Sequence, residues 1–120
     1  MEGLSIEALQ QVAAHFRALS EPTRLQILSL LRDGERSVGD LAQLCDYTSA
    51  NISRHLSILS KHGFVKSTGR GTSVYYSIAD ESVYALCDLV CGSIARQLEE
   101  AARGRQAFVQ SAKRANGKNK

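Results

Sequence analysis

From residue 5 to Gly63 the apolar positions of this chain recur at helical steps; then, over one stretch from Phe64 to Ile78, the period becomes that of a strand. No other feature limits the fold as much. Phe64-Val65-Lys66-Ser67-Thr68 and Ser73-Val74-Tyr75-Tyr76-Ser77-Ile78 are rich in β-branched and aromatic residues, and Gly69-Arg70-Gly71-Thr72 lies between them. The pattern predicts a single β-hairpin with a glycine-rich, cationic tip. The chain is therefore mainly α with one small hairpin.

Ahead of the hairpin, Ile6, Leu9, Val12, Ala13, Phe16 and Leu19 predict an amphipathic helix over 5–19. Ser20 is the expected cap of a second helix, and Pro22 falls in its first turn, where a missing N–H costs little. That helix carries Leu25, Ile27, Leu28, Leu30 and Leu31 and ends near Asp33-Gly34. Ser37 precedes a short third helix with Val38, Leu41 and Leu44. Cys45-Asp46-Tyr47 allows only a tight connection; Thr48 or Ser49 then opens a fourth helix that ends near His62-Gly63, with Gly63 at the C′ position. After the hairpin, Asp80 or Ser82 is expected to cap a last helix from about 82 to 104, striped by Val83, Leu86, Val90, Ile94 and Leu98. From 108 onward the chain is polar and basic, and its composition predicts disorder. The expected organisation is one domain over 1–107 and a tail over 108–120.

A chain of 120 residues with 43% hydrophobic content supports one small core. Domains of this size often gain burial by dimerising. No run of 18 apolar residues is present, and MEGLSIEALQ lacks the basic start and apolar stretch of a signal peptide, so no membrane partner and a cytoplasmic location are expected. The net charge of +3 hides an asymmetry: six basic residues and no acid follow Ala102, whereas the preceding body has nine basic and twelve acidic residues. Overall charge is thus a poor guide to nucleic-acid binding, and the local distribution has to decide.

The third helix, the tight turn and the fourth helix form a helix-turn-helix unit. Its second helix needs two faces. Ile52, Leu56 and Leu59 supply the buried one, and Ser49, Ala50, Ser53, Arg54 and Ser57 fall on the other. Small side chains permit close approach to a major groove, hydroxyls bond base edges or phosphate, and Arg54 can chelate guanine. A solvated helix face would look similar. The hairpin favours the groove: Arg70 between two glycines projects a cation beside the recognition helix, as a wing touching phosphate or minor groove requires. Asn51, His55 and Lys61 complete the candidate DNA-contacting set, and Lys66 could add a phosphate contact. No nucleophile–base pair, phosphate-cradling loop or carboxylate dyad at useful spacing is present, so an enzyme is not expected.

With these pieces in order, the sequence resembles the ArsR/SmtB family of metal- and stress-responsive repressors from about Phe16 to Arg96. The resemblance rests on Ala18-Leu19-Ser20-Glu21-Pro22-Thr23-Arg24-Leu25-Gln26-Ile27-Leu28, on Ser37-Val38-Gly39-Asp40-Leu41-Ala42, on Ser49-Ala50-Asn51-Ile52-Ser53-Arg54-His55-Leu56-Ser57-Ile58-Leu59, on Gly63-Phe64-Val65, and on Gly69-Arg70-Gly71 through Tyr75-Tyr76. It implies a winged helix-turn-helix of order ααααββα, a homodimer through the first and last helices, an inverted-repeat operator in double-stranded DNA, and an effector that lowers DNA affinity. Two of the family's sensing patterns are missing. Where one subgroup carries a cysteine pair ahead of the recognition helix, this chain has Ser37 and Gly39. Where another binds zinc between the last helices, Asp80 matches but Ser82, Ser93 and Arg96 replace the remaining ligands.

The cysteines remain. An odd count of three, in a chain without an export signal, argues against a disulfide framework. Cys87 and Cys91 stand four residues apart on the last helix, so their sulfurs share a face. Two thiolates so placed can chelate a thiophilic ion such as As(III), Sb(III), cadmium or copper(I). Inorganic arsenite needs a third thiolate, which Cys45 would supply only if the fold brings it there. The same pair could instead carry a sulfur bridge in a persulfide- or redox-sensing repressor, or simply pack as small apolar side chains.

Overall fold

The computed structural model describes residues 1–118, which divide into two units, Met1–Glu81 and the helix that begins at Ser82. The first unit runs α1 (Ile6–Leu19), α2 (Pro22–Leu31), β1 (Arg36–Ser37), α3 (Val38–Cys45), α4 (Ser49–Lys61), β2 (Val65–Arg70) and β3 (Ser73–Ile78). The second unit is α5 (Ser82–Lys118).

Local chemistry explains the boundaries. Ser5, Ser37 and Thr48 each accept a hydrogen bond from the backbone N–H three residues on, and so cap α1, α3 and α4. The cap of α2 departs from expectation. Glu21 fills it, its carboxylate accepting from the Arg24 N–H at 2.9 Å, with Pro22 next in line. Ser20 instead closes α1: its N–H bonds Arg17 and its hydroxyl bonds the Phe16 carbonyl. Asp46 ends α3 in the left-handed region at φ 56°, which a short polar side chain tolerates and which turns the chain toward α4 within three residues. Gly63 follows α4 at φ +79°, and Gly71 turns the hairpin at φ +61°, both conformations that favour glycine.

The hairpin pairs Val65 with Ile78 through Arg70 with Ser73. One strand had no signal in the sequence: Arg36–Ser37 pairs antiparallel with Tyr76 and Tyr75, giving a three-stranded sheet of order β1-β3-β2. Two residues are too few to show a period. The observed order is thus ααβααββα, the expected winged helix-turn-helix with a minimal strand added ahead of α3.

The core of the first unit is made by Leu19, Ile27, Leu28, Leu31, Leu41, Ala42, Cys45, Ile52, Leu56, Leu59, Phe64 and Val65. Ile27, Leu41, Ile52, Leu56 and Leu59 are fully buried. The exposed His15 ring of α1 lies tilted against Phe64 at 4.4 Å between centroids and meets His62 edge-on at 6.1 Å, so these rings help join α1 to the end of α4.

In α5 the segment after 107 does not behave as its composition suggested. The helix continues to Lys118, through most of the expected tail; residues 119 and 120 lie outside the described part. Polarity misled here because Ala, Gln, Arg and Lys, which dominate residues 100–115, are also strong helix formers.

Candidate nucleic-acid interface and thiol pair

Helix α4 presents the two faces its sequence calls for. Ile52, Leu56 and Leu59 point into the core, and Ser49, Ala50, Ser53, Arg54, Ser57 and Lys61 are exposed. Asn51 is half-buried, and its Oδ1 accepts a hydrogen bond from Arg54 Nη2 at 2.5 Å. That bond fixes one edge of the guanidinium and leaves its other donors for a ligand.

His55 sits apart from this face. Its side chain is only 16% exposed and turns toward the start of α2, where Nδ1 lies 3.7 Å from Glu21 Oε2 and 3.2 Å from Arg24 Nη1. Arg24 also donates from Nε to the Ala18 carbonyl at 2.6 Å and from Nη2 to the Arg17 carbonyl at 3.3 Å. One guanidinium thus ties the last carbonyls of α1 to the inner side of α4. Burial pushes the Glu21 carboxyl up, but the Arg24 N–H, the facing His55, the Thr23 N–H and the Arg24 charge outweigh it, so it titrates below the usual carboxylate range. The position of His55 is that of a residue that orients α4, and sequence reasoning missed it because its partners are 31 and 34 residues away.

At the wing, Arg70 closes β2 opposite Ser73 and is exposed, as is Lys66. Arg70 Nη1 forms an ion pair with Glu35 Oε1, and its guanidinium lies 5.3 Å from the centre of the Tyr75 ring. Neither partner was legible in the sequence, because only the short β1 strand brings Glu35 to the hairpin.

The thiols fall in the two units. Cys45 is buried in the first, and burial pushes its thiol above the ordinary range. In α5, Cys87 is half-buried and Cys91 exposed, and both are free. Burial, then the neighbouring charges of Cys91 and Asp88, push the Cys87 thiol up. The four-residue spacing of Cys87 and Cys91 along α5 puts the two residues on one helical face. Along that face Ile94 and Leu98 follow at alternating steps of three and four, and they are 51% and 66% exposed. Among the described residues, no three His, Cys, Asp or Glu side chains form a group able to hold a metal ion. None of the described helices is long and apolar enough to cross a membrane.

Residues 21–67 match the family described as bacterial regulatory protein, arsR family. A solved homodimeric winged helix-turn-helix DNA-binding domain from Mycobacterium bovis superimposes with a TM-score of 0.69 at 38% identity, covering 83% of this chain and 95% of that one. The chain belongs to the ArsR family. It is similar to a transcriptional repressor SmtB homolog of Synechocystis, 39% identical over 85 residues that make up 71% of this chain and 64% of the relative. It is also similar to a cadmium resistance transcriptional regulatory protein, a CadC homolog of Staphylococcus aureus, 40% identical over 78 residues that are 64% of each chain. The match thus spans just under two thirds of these two relatives' own length. Membership puts the chain among bacterial regulatory proteins, and it gives the two-faced helix α4 its place in a winged helix-turn-helix.

Proposed function

We propose that this ArsR-family chain is a homodimeric transcriptional repressor that binds an inverted-repeat operator and leaves it when a thiophilic metal or metalloid binds Cys87 and Cys91. The observation that carries the DNA reading is α4: a fully buried stripe of Ile52, Leu56 and Leu59 holds Ser49, Ala50, Ser53, Arg54 and Ser57 outward with no acid among them. Arg54 reads a guanine edge, Asn51 steadies it, the serines and Lys61 bond bases or phosphate, and Arg70 reaches the backbone from the wing. His55 acts behind this face, through the placement of α4. The Mycobacterium bovis domain is homodimeric and DNA-binding, and the Synechocystis relative is a repressor, which supports both parts of the reading.

Dimerisation has its own support. Val90, Ile94 and Leu98 form an exposed apolar stripe on α5, and an open groove on α1 is lined by Ala8, Val12, His15 and Phe16. A second copy covering these faces would bury them. The cysteines lie on the same α5 stripe, so an ion held there would act on the geometry of the dimer and thus on the spacing of the two recognition helices. Coupling of about 1.4 kcal/mol would lower operator affinity tenfold. The CadC homolog, a cadmium resistance regulator, makes a soft metal a reasonable first effector. A second reading has one observation in its favour. Only two thiols are paired and no third ligand joins them among the described residues, and a sulfur bridge needs no more than two. In both readings the protein works in the cytoplasm.

Fluorescence anisotropy of reduced protein on the inverted repeat upstream of its own gene tests the proposal, repeated with arsenite, antimonite, cadmium, copper(I) and a persulfide donor. Release by a metal or metalloid, lost in Cys87→Ser, is the expected result. Release by the persulfide donor alone would replace the metal reading with the sulfur reading. Tight binding indifferent to all five would overturn both.

A further inference from the structure

The wing arginine of this protein is already engaged. Glu35 stands immediately before β1, and the pairing of Ser37 with Tyr75 and Arg36 with Tyr76 fastens that strand to the wing. The Glu35 carboxylate consequently meets the Arg70 guanidinium, while Tyr75 supports the guanidinium from its ring face. Both side chains stay open to solvent, Arg70 at 59% and Glu35 at 33%.

We propose that Glu35 is a built-in competitor of DNA for Arg70, and so a residue that sets how strongly the wing grips the phosphate backbone. The inference rests on the DNA-binding reading given above. A carboxylate and a phosphate offer a guanidinium the same acceptor geometry, two oxygens in one plane matched to two N–H donors. Before DNA arrives, Glu35 fills the place a phosphate would take and offsets the charge of Arg70. An exposed pair of this kind is weak and exchanges readily. Arg70 can therefore leave Glu35 for a phosphate, and the strength of its new contact is reduced by the one it gives up. Glu35, once released, also brings its negative charge near the backbone. Tyr75 keeps the guanidinium at the wing in both states, so the exchange needs a change of partner and not a refolding of the tip.

The test is a double-mutant cycle in operator binding, with anisotropy read across a range of salt concentrations. Glu35→Gln keeps the shape of the side chain and removes the charge. It is expected to tighten operator binding about two- to fivefold near physiological salt. It should also steepen the fall of log K with log salt by up to about 0.9, one phosphate contact's worth. Arg70→Ala is expected to weaken binding, and to weaken it more in the Glu35→Gln background than in wild type. Three outcomes overturn the proposal. Unchanged affinity in Glu35→Gln removes the competition. Weaker binding would make Glu35 a support for Arg70. A gain that persists when Arg70 is already alanine would mean a general charge effect on DNA. Failure of the underlying reading looks different: wild-type protein would show no operator binding, or Arg54→Ala would bind as wild type does.

Discussion

Helices α4 and α5 are both amphipathic, yet they stand in opposite relation to their own chain. The apolar stripe of α4 is completely covered within one protomer. Among the described side chains of α5 only Val83 is buried, and Val90, Ile94 and Leu98 remain half or more exposed. The first helix is positioned by the sequence around it, as the proposed contact with DNA requires. The second is unfinished, which is the condition for a surface that a partner and an effector can rearrange. The difference predicts that substitutions in the two stripes fail in different ways. Leu56→Ala should cost roughly 2–5 kcal/mol of unfolding free energy, at a level that does not depend on protein concentration. Leu98→Ala should lower the urea midpoint only at concentrations where the wild type is dimeric, the difference vanishing on dilution, because a dimer face is stabilised by mass action. Equal, concentration-independent losses at both positions would remove the distinction.

The outward faces can be separated as well. Arg54→Ala is expected to lower operator affinity about 10- to 100-fold, the loss of a contact worth roughly 1–3 kcal/mol, with the thermal midpoint barely moved. Loss of binding together with a large drop in midpoint would reassign Arg54 to the support of α4 through Asn51.

On α5, Cys87→Ser and Cys91→Ser should each keep operator binding and abolish release. For the metal effector the response should also follow pH. The Cys87 thiol is pushed above its ordinary range, so it carries its proton at neutral pH and must shed it to become a ligand. Release should then weaken as pH falls, by up to about tenfold in effector affinity per pH unit for each proton displaced. A response flat from pH 6 to 8 would count against thiolate ligation.

The same contrast explains what the sequence let one read. Wherever a segment is completed by near neighbours, its role was legible: Thr48 before α4, Gly63 after it, the Ile52–Leu56–Leu59 stripe, and the β-branched and aromatic strands of the wing. What escaped was decided at a distance. Glu35 reaches Arg70 because a two-residue strand pairs across the sheet, and His55 faces Glu21 and Arg24 because α4 packs on α2. Ser20 was displaced as a cap because Glu21 and Ser20 both have the chemistry for it, and only the observed backbone separates their tasks. The helix after 107 failed for another reason: low hydrophobicity suggested disorder while residue propensity favoured helix, and propensity prevailed.

The smallest expected effect probes how α4 is tied to its unit by polar rather than apolar contacts. Glu21 titrates below the usual carboxylate range in the folded protein, so its charged form is the one that folding favours. The sign follows: its contribution is present above the unfolded-state value and disappears as pH falls through the lower folded-state value. Glu21→Gln should therefore lower the thermal midpoint slightly at neutral pH, and the gap from wild type should close as the solution is acidified into the range where the folded carboxylate takes up its proton. A gap that stays constant down to that range would mean that the loss lies in the cap at Arg24 and not in the charge facing His55. With His55→Gln as a second background, a smaller pH-dependent gap would assign the remainder to the His55 contact, which joins the start of α2 to α4.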